Sequence, residues 1–111
     1  MQMLQQVFKV EDSEKKENLL EILSDRYCRT IIESTMDKPK SVVEITAETG
    51  IPVSTVYRRI QTLSDSKLLY ISGSISEDGK KFFLYKSKVK GIQTQYENGS
   101  VNVELVLNRR N

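Results

Sequence analysis

Between Ser41 and Leu69 the chain is punctuated so closely that one arrangement fits it: a short helix, a tight turn and a second helix. Ser41 and Glu44 stand at the S-x-x-E spacing of a capping box, in which each side chain satisfies a free backbone N–H of the other's residue. Val42, Ile45 and the small Ala47 can then face inward. Gly50 can close the helix in a left-handed conformation, which costs residues with a Cβ more. Pro52 suits the first turn of the following helix, where its missing N–H is not needed. Beyond it, Val56, Ile60 and Leu63 recur at i, i+4 and i+7 as one apolar stripe.

The rest of that second helix, over 52–65, carries Ser54, Thr55, Tyr57, Arg58, Arg59, Gln61 and Thr62. Hydroxyls, an aromatic ring and two arginines on an exposed helix face match what the major groove of DNA offers. The spacing therefore predicts a DNA-reading helix-turn-helix. Ser54 and Thr55 can bond phosphates or base edges, and Arg58 can reach guanine O6 and N7 or grip a phosphate. Tyr57 can touch the sugar–phosphate backbone or pack beneath the next element. Arg59 can lie at the groove edge or pair with an acid of its own domain. Thr62 is a candidate phosphate ligand.

Charge sharpens this expectation. The net charge of the 111 residues is only +2, but residues 52–90 hold eight Lys/Arg against three acids. Residues 1–51 hold seven Lys/Arg against ten acids, and 91–111 hold two of each. A basic stretch beginning at the second helix is the footprint of a surface that meets phosphates, although a merely solvated basic face gives the same count.

Leu69 to Ser76 switches to a period of two, with Leu69, Ile71, Gly73 and Ile75 on one face. Glu77-Asp78-Gly79-Lys80 reads as a hairpin turn, and Lys81 to Lys88 as the returning strand. Lys80 and Lys81 at its tip are placed for a flanking minor groove or its phosphates, with Ser74 and Ser76 as weaker candidates. Lys86, Lys88 and Lys90 alternate, for binding or for protecting a sheet edge. Asn98-Gly99 sets a second hairpin between 90–96 and 101–107. Its Val101, Val103, Leu105 and Leu107 share a face, which Ile92 and Tyr96 can join. That face needs cover from the chain's own helices or from another chain.

Upstream, Ser13 is read as the cap of a helix that buries Leu19, Leu20, Ile22 and Leu23. Ser24 is read as the cap of a helix with Tyr27, Cys28, Ile31 and Ile32 inward, ending near Thr35. Met1 to Val10 fits a short helix or an added strand, either frayed or docked on a partner subunit. The expected class is α+β: about four helices, a β-hairpin wing and an extra C-terminal β-hairpin. Residues 1–12 form an N-terminal segment able to serve dimerisation, 13–88 the winged-helix domain, and 89–111 a hairpin packed on that domain or on a partner.

One cysteine and no histidine remove internal disulfides, zinc sites and the commonest general base. No cofactor and no enzymatic activity are expected. Cys28, on an apolar stripe, reads as a buried core thiol. The apolar runs are too short for a membrane span and no signal peptide opens the chain, so a cytoplasmic location is expected.

Three stretches carry a family resemblance: Leu23-Ser24-Asp25-Arg26-Tyr27-Cys28-Arg29, Val43 through Pro52, and Ser54-Thr55-Val56-Tyr57-Arg58-Arg59-Ile60. They resemble the winged-helix transcription regulators, especially the ArsR-like group common in archaea, over roughly residues 16–88. The resemblance implies a homodimeric repressor or activator bound to double-stranded DNA. It does not imply metal sensing, because Ser41-Val42-Val43-Glu44 holds none of the cysteines that metal-sensing members place there. Those members also end in a dimerising helix, whereas this chain ends in a hairpin. A winged helix that grips protein within a transcription-related assembly is the alternative.

Overall fold

The computed structural model describes residues 6–110, so the expectations for Met3 and Leu4 lie outside the described residues. In chain order the elements are β1 (Val7–Val10), α1 (Ser13–Ser24), α2 (Arg26–Ser34), α3 (Val42–Thr49) and α4 (Val53–Asp65). They are followed by β2 (Leu69–Ile75), β3 (Lys81–Ser87), β4 (Val89–Glu97) and β5 (Ser100–Leu107). This is an α+β winged helix-turn-helix.

The helix boundaries follow their capping chemistry. Ser41 and Glu44 form the expected capping box, and Gly50 ends α3 at φ 76°. The other starts are displaced by one residue from the sequence reading. Asp12, not Ser13, caps α1 by accepting the Lys15 N–H at 2.9 Å. Asp25, not Ser24, caps α2 by accepting the Cys28 N–H at 2.8 Å. A carboxylate at the positive end of a helix gains from the macrodipole as well as from the hydrogen bond. Pro52 sits just outside α4 as its N-cap, with no side-chain cap bond. Helix α4 closes without glycine: Leu68 N–H reaches the Leu63 carbonyl and Lys67 N–H the Ser64 carbonyl, with Lys67 at φ 61°.

One core joins these parts. Val56, Ile60 and Leu63 of α4 are buried with Ile45 of α3, Ile31 of α2 and Leu19 and Ile22 of α1. Ala47, expected inward, is exposed, while Leu20 and Leu23 are only half-buried. Val10, Val89 and Val103 extend the same core into the strands.

The strands form two sheets, β1-β5-β4 and β2-β3, all antiparallel. The N-terminal segment is therefore an added strand in this chain's own sheet, with Val10 opposite Val103. Ile92 faces Leu105 and Tyr96 faces Val101, and a turn with positive φ at both Asn98 and Gly99 joins their strands. Lys40 adds a bridge to the edge of the wing, exchanging backbone hydrogen bonds with Tyr85 at 2.8 and 2.9 Å. Asn108 fastens the two sheets. Its amide donates to the Met36 carbonyl at 2.8 Å and the Ser87 carbonyl at 3.0 Å. No helix among the described residues is long and apolar enough to cross a membrane.

Candidate nucleic-acid interface

Successive helical residues are turned by about 100°, so the buried Val56–Ile60–Leu63 stripe of α4 sends Ser54, Arg58 and Gln61 to the far side. These three are exposed, as are Tyr57 on one flank and Thr62 on the other; Thr55 is half-buried. Gln61 bonds Asp65 at 2.8 Å, and the Thr62 hydroxyl returns to the Arg58 carbonyl at 3.1 Å. Arg58 makes no ion pair among the described residues.

Arg59 does not share that face. Adjacent to Ile60, it points back toward α2, where Nε lies 2.9 Å from Asp25 Oδ2 and Nη2 3.4 Å from Oδ1. Its guanidinium also lies 5.6 Å from the centre of the Tyr27 ring. Of the two roles open to it on sequence, pairing within its own domain is the one its geometry fills. Burial raises the Asp25 pKa, but the hydrogen bonds from Arg59 and from the Cys28 backbone outweigh it, leaving the carboxyl below its ordinary value. Arg59 is correspondingly held above its own, first by the hydrogen bond to Asp25.

On the wing, Lys80 and Lys81 are exposed at the hairpin turn. The turn is built on Ser76, whose hydroxyl bonds Asp78 and accepts the Lys80 N–H at 3.1 Å, while Gly79 supplies φ 84°. Ser76 is thus occupied in holding the tip rather than free for a ligand. The Lys81 ammonium leans over the Phe83 ring at 5.4 Å.

The face of β2 and β3 that carries Ile71, Ile75 and Phe83 is uncovered: Ile75 is 72% exposed. The period of two is as expected, but past Leu69 the hairpin projects beyond the core and nothing lies over it. Tyr57 is exposed too, close enough to Tyr85 that its phenol adds to burial in raising the Tyr85 pKa.

The family comparison falls on this region. Residues 34–70, one third of the chain, match the model of the IclR helix-turn-helix domain. That segment runs from the end of α2 through α3 and α4 to the start of the wing. The chain is a DNA-binding winged helix-turn-helix protein. The match makes it a transcription regulator, and it is similar to the IclR type over this segment; the ArsR-like subtype finds no support in it. No curated protein matches the chain.

Two features of this region escaped the sequence reading. Asp25 both caps α2 and anchors Arg59, a role that its position one residue before the helical run signals through the preference for Asp at N-caps. Lys86 does not alternate with Lys88 and Lys90 on one solvated face. It is 4% exposed, because the chain changes strand between Ser87 and Val89. Cys28 is 1% exposed, as the core reading requires. Burial, reinforced by Asp25, pushes its thiol up to about 12.

Proposed function

We propose that this regulator reads duplex DNA with α4 in the major groove and the β2–β3 wing on the flanking backbone or minor groove. The observation that carries the reading is the outer face of α4. Ser54, Arg58 and Gln61 point away from the core, and Arg58 has no acidic partner among the described residues. Such a helix presents bidentate donors to base edges, and Thr55, Thr62, Lys80 and Lys81 add phosphate contacts. Arg59 acts indirectly, by fixing α4 against α2.

The regulator acts as a homodimer in this reading. Edge strand β1 with its exposed Val7 and Phe8, together with exposed Tyr96 on β4, supports association through the three-stranded sheet. Two-fold symmetry sets half-sites about one helical turn, ~34 Å, apart. Selection of bound sequences from random duplex DNA tests both parts. A palindromic motif is expected; no enrichment overturns the reading.

A second reading, a winged helix that grips protein, is favoured by one observation: the uncovered Ile71, Ile75 and Phe83. It predicts DNA retention that is insensitive to salt or missing, and loss of a protein partner on Phe83→Ser.

A further inference from the structure

We infer that the cleft behind the wing is a binding site for a phosphoryl oxyanion. On the face of β2 and β3 opposite Ile71 and Phe83, Tyr70 pairs with Lys86 across the strands. The Lys88 ammonium lies 5.5 Å from the centre of the Tyr70 ring, and the Arg110 guanidinium lies 5.4 Å from it. Tyr70 is itself held by a 3.4 Å hydrogen bond from its hydroxyl to the Asn108 carbonyl. Pro39, Ile71, Ser72, Lys86 and Arg110 join Tyr70 in lining a cleft of about 290 Å³.

Among the described residues, no acid compensates the positive charge in and beside this cleft. None of its lining residues is acidic. Among the described residues, the ion pairs are Lys9–Glu11, Lys40–Glu48 and Arg59–Asp25, so Lys86, Lys88 and Arg110 have no carboxylate partner. An aromatic face can hold cations through its quadrupole without neutralising them. The ring thus gathers two positive charges beside a third whose side chain is 4% exposed. Withdrawing a cation from water without a counter-charge is costly, and a bound anion removes that cost. Arg110 supplies a planar fork that matches two oxygens of a phosphate, Lys86 a point charge, and Ser72 a hydroxyl. Because Lys88 and Arg110 already lie against the ring, the recognised group is the oxyanion rather than a stacked base. Two sources share that chemistry: a phosphodiester of the DNA bound under the proposed function, or the phosphate of a small effector.

The test is a titration of the full chain with inorganic phosphate at constant ionic strength, followed by amide NMR and compared with chloride. Saturable shifts at Tyr70, Ser72 and Lys86 are expected with phosphate alone. Removing one charge-assisted contact, in Lys86→Gln or Arg110→Gln, weakens binding about tenfold. Arg110→Gln alters an exposed residue outside the strands, so it keeps the test valid should Lys86→Gln disturb the wing. Shifts that fail to saturate, or that Arg110→Gln leaves unchanged, overturn the site.

A second arm separates the sources. If the duplex backbone supplies the phosphate, Arg110→Gln lowers the slope of log K against log salt by about one. If a small phosphorylated ligand supplies it, Arg110→Gln loses phosphate binding with the slope intact. Failure of the chain to bind any duplex defeats the proposed function while leaving the phosphate titration readable.

Discussion

Asp25 Oδ2 accepts two hydrogen bonds at once, from the Cys28 backbone at 2.8 Å and from Arg59 Nε at 2.9 Å. One carboxylate therefore starts α2 and ties α4 to that start. The two side chains are each 29% exposed, so the pair is only partly screened by water.

Asp25→Ala removes the cap and strands Arg59, and it is expected to cost about 2 kcal/mol, roughly half from each loss. Arg59→Ala leaves the cap intact and costs about 1 kcal/mol. Because the folded Asp25 pKa lies below its ordinary 3.8, its contribution is complete above that value and fades as pH falls through the lower folded pKa. Urea unfolding of wild type and Asp25→Ala should give a stability gap that is constant from pH 8 to 5 and narrows below about pH 4. A gap that widens on acidification contradicts the assignment.

The C-terminal ends of the two helices of the motif should respond with opposite signs to changes at positive φ. Gly50 closes α3 at φ 76°, and Gly50→Ala should lower stability by about 1 kcal/mol. Lys67 closes α4 at φ 61° in a position that glycine usually fills. Lys67→Gly relieves about 1–2 kcal/mol of left-handed strain against about 0.5–1 kcal/mol of added unfolded-state freedom. A net gain of up to about 1.5 kcal/mol is expected from chemical unfolding; a loss means that the Lys67 side chain holds more than its backbone costs.

Cys28 should be inert in the native protein. Its thiol is 1% exposed and pushed up to about 12, so the thiolate that reacts with electrophiles is scarce at pH 8. Iodoacetamide should label the chain in strong denaturant but not in buffer. Prompt labelling of folded protein removes Cys28 from the core.

The parts of this fold legible in the sequence are those set by local rules. The Ser41–Glu44 box, the Gly50 stop, the α4 stripe and the Asn98-Gly99 turn each need only a few neighbouring residues. What was not legible is the choice between two adjacent candidate caps, which local spacing leaves open, and the contacts made between residues far apart in the chain. Ser13 and Ser24 are plausible caps until the carboxylates of Asp12 and Asp25 are seen accepting the N–H groups instead. For Arg59 the sequence leaves the groove edge and an acid of its own domain both open, and only the place of α2 decides between them. Ile71 and Ile75 alternate as core residues do, but alternation reports a face and not what covers it. Lys86 meets Tyr70 through the β2–β3 register, and Arg110 reaches the same ring from beyond Asn108, whose amide bonds the Ser87 carbonyl.

The contrast between Arg58 and the wing lysines gives the most direct check on how DNA is read. Arg58 is exposed on α4 and, among the described residues, paired with no acid. Arg58→Ala should therefore leave stability within about 0.5 kcal/mol of wild type. It should cost about 1–3 kcal/mol in binding to the selected sequence and relax discrimination at one base pair. Lys80→Ala and Lys81→Ala remove charges from the hairpin tip, which can meet phosphates but has no bidentate fork for a base. Each should weaken binding on every sequence alike and lower the salt slope by about one. Fluorescence anisotropy on the selected duplex and on single-base variants, repeated at several salt concentrations, separates the two patterns. If Arg58→Ala weakens all duplexes equally, Arg58 grips the backbone and base reading falls to Ser54, Thr55 and Gln61.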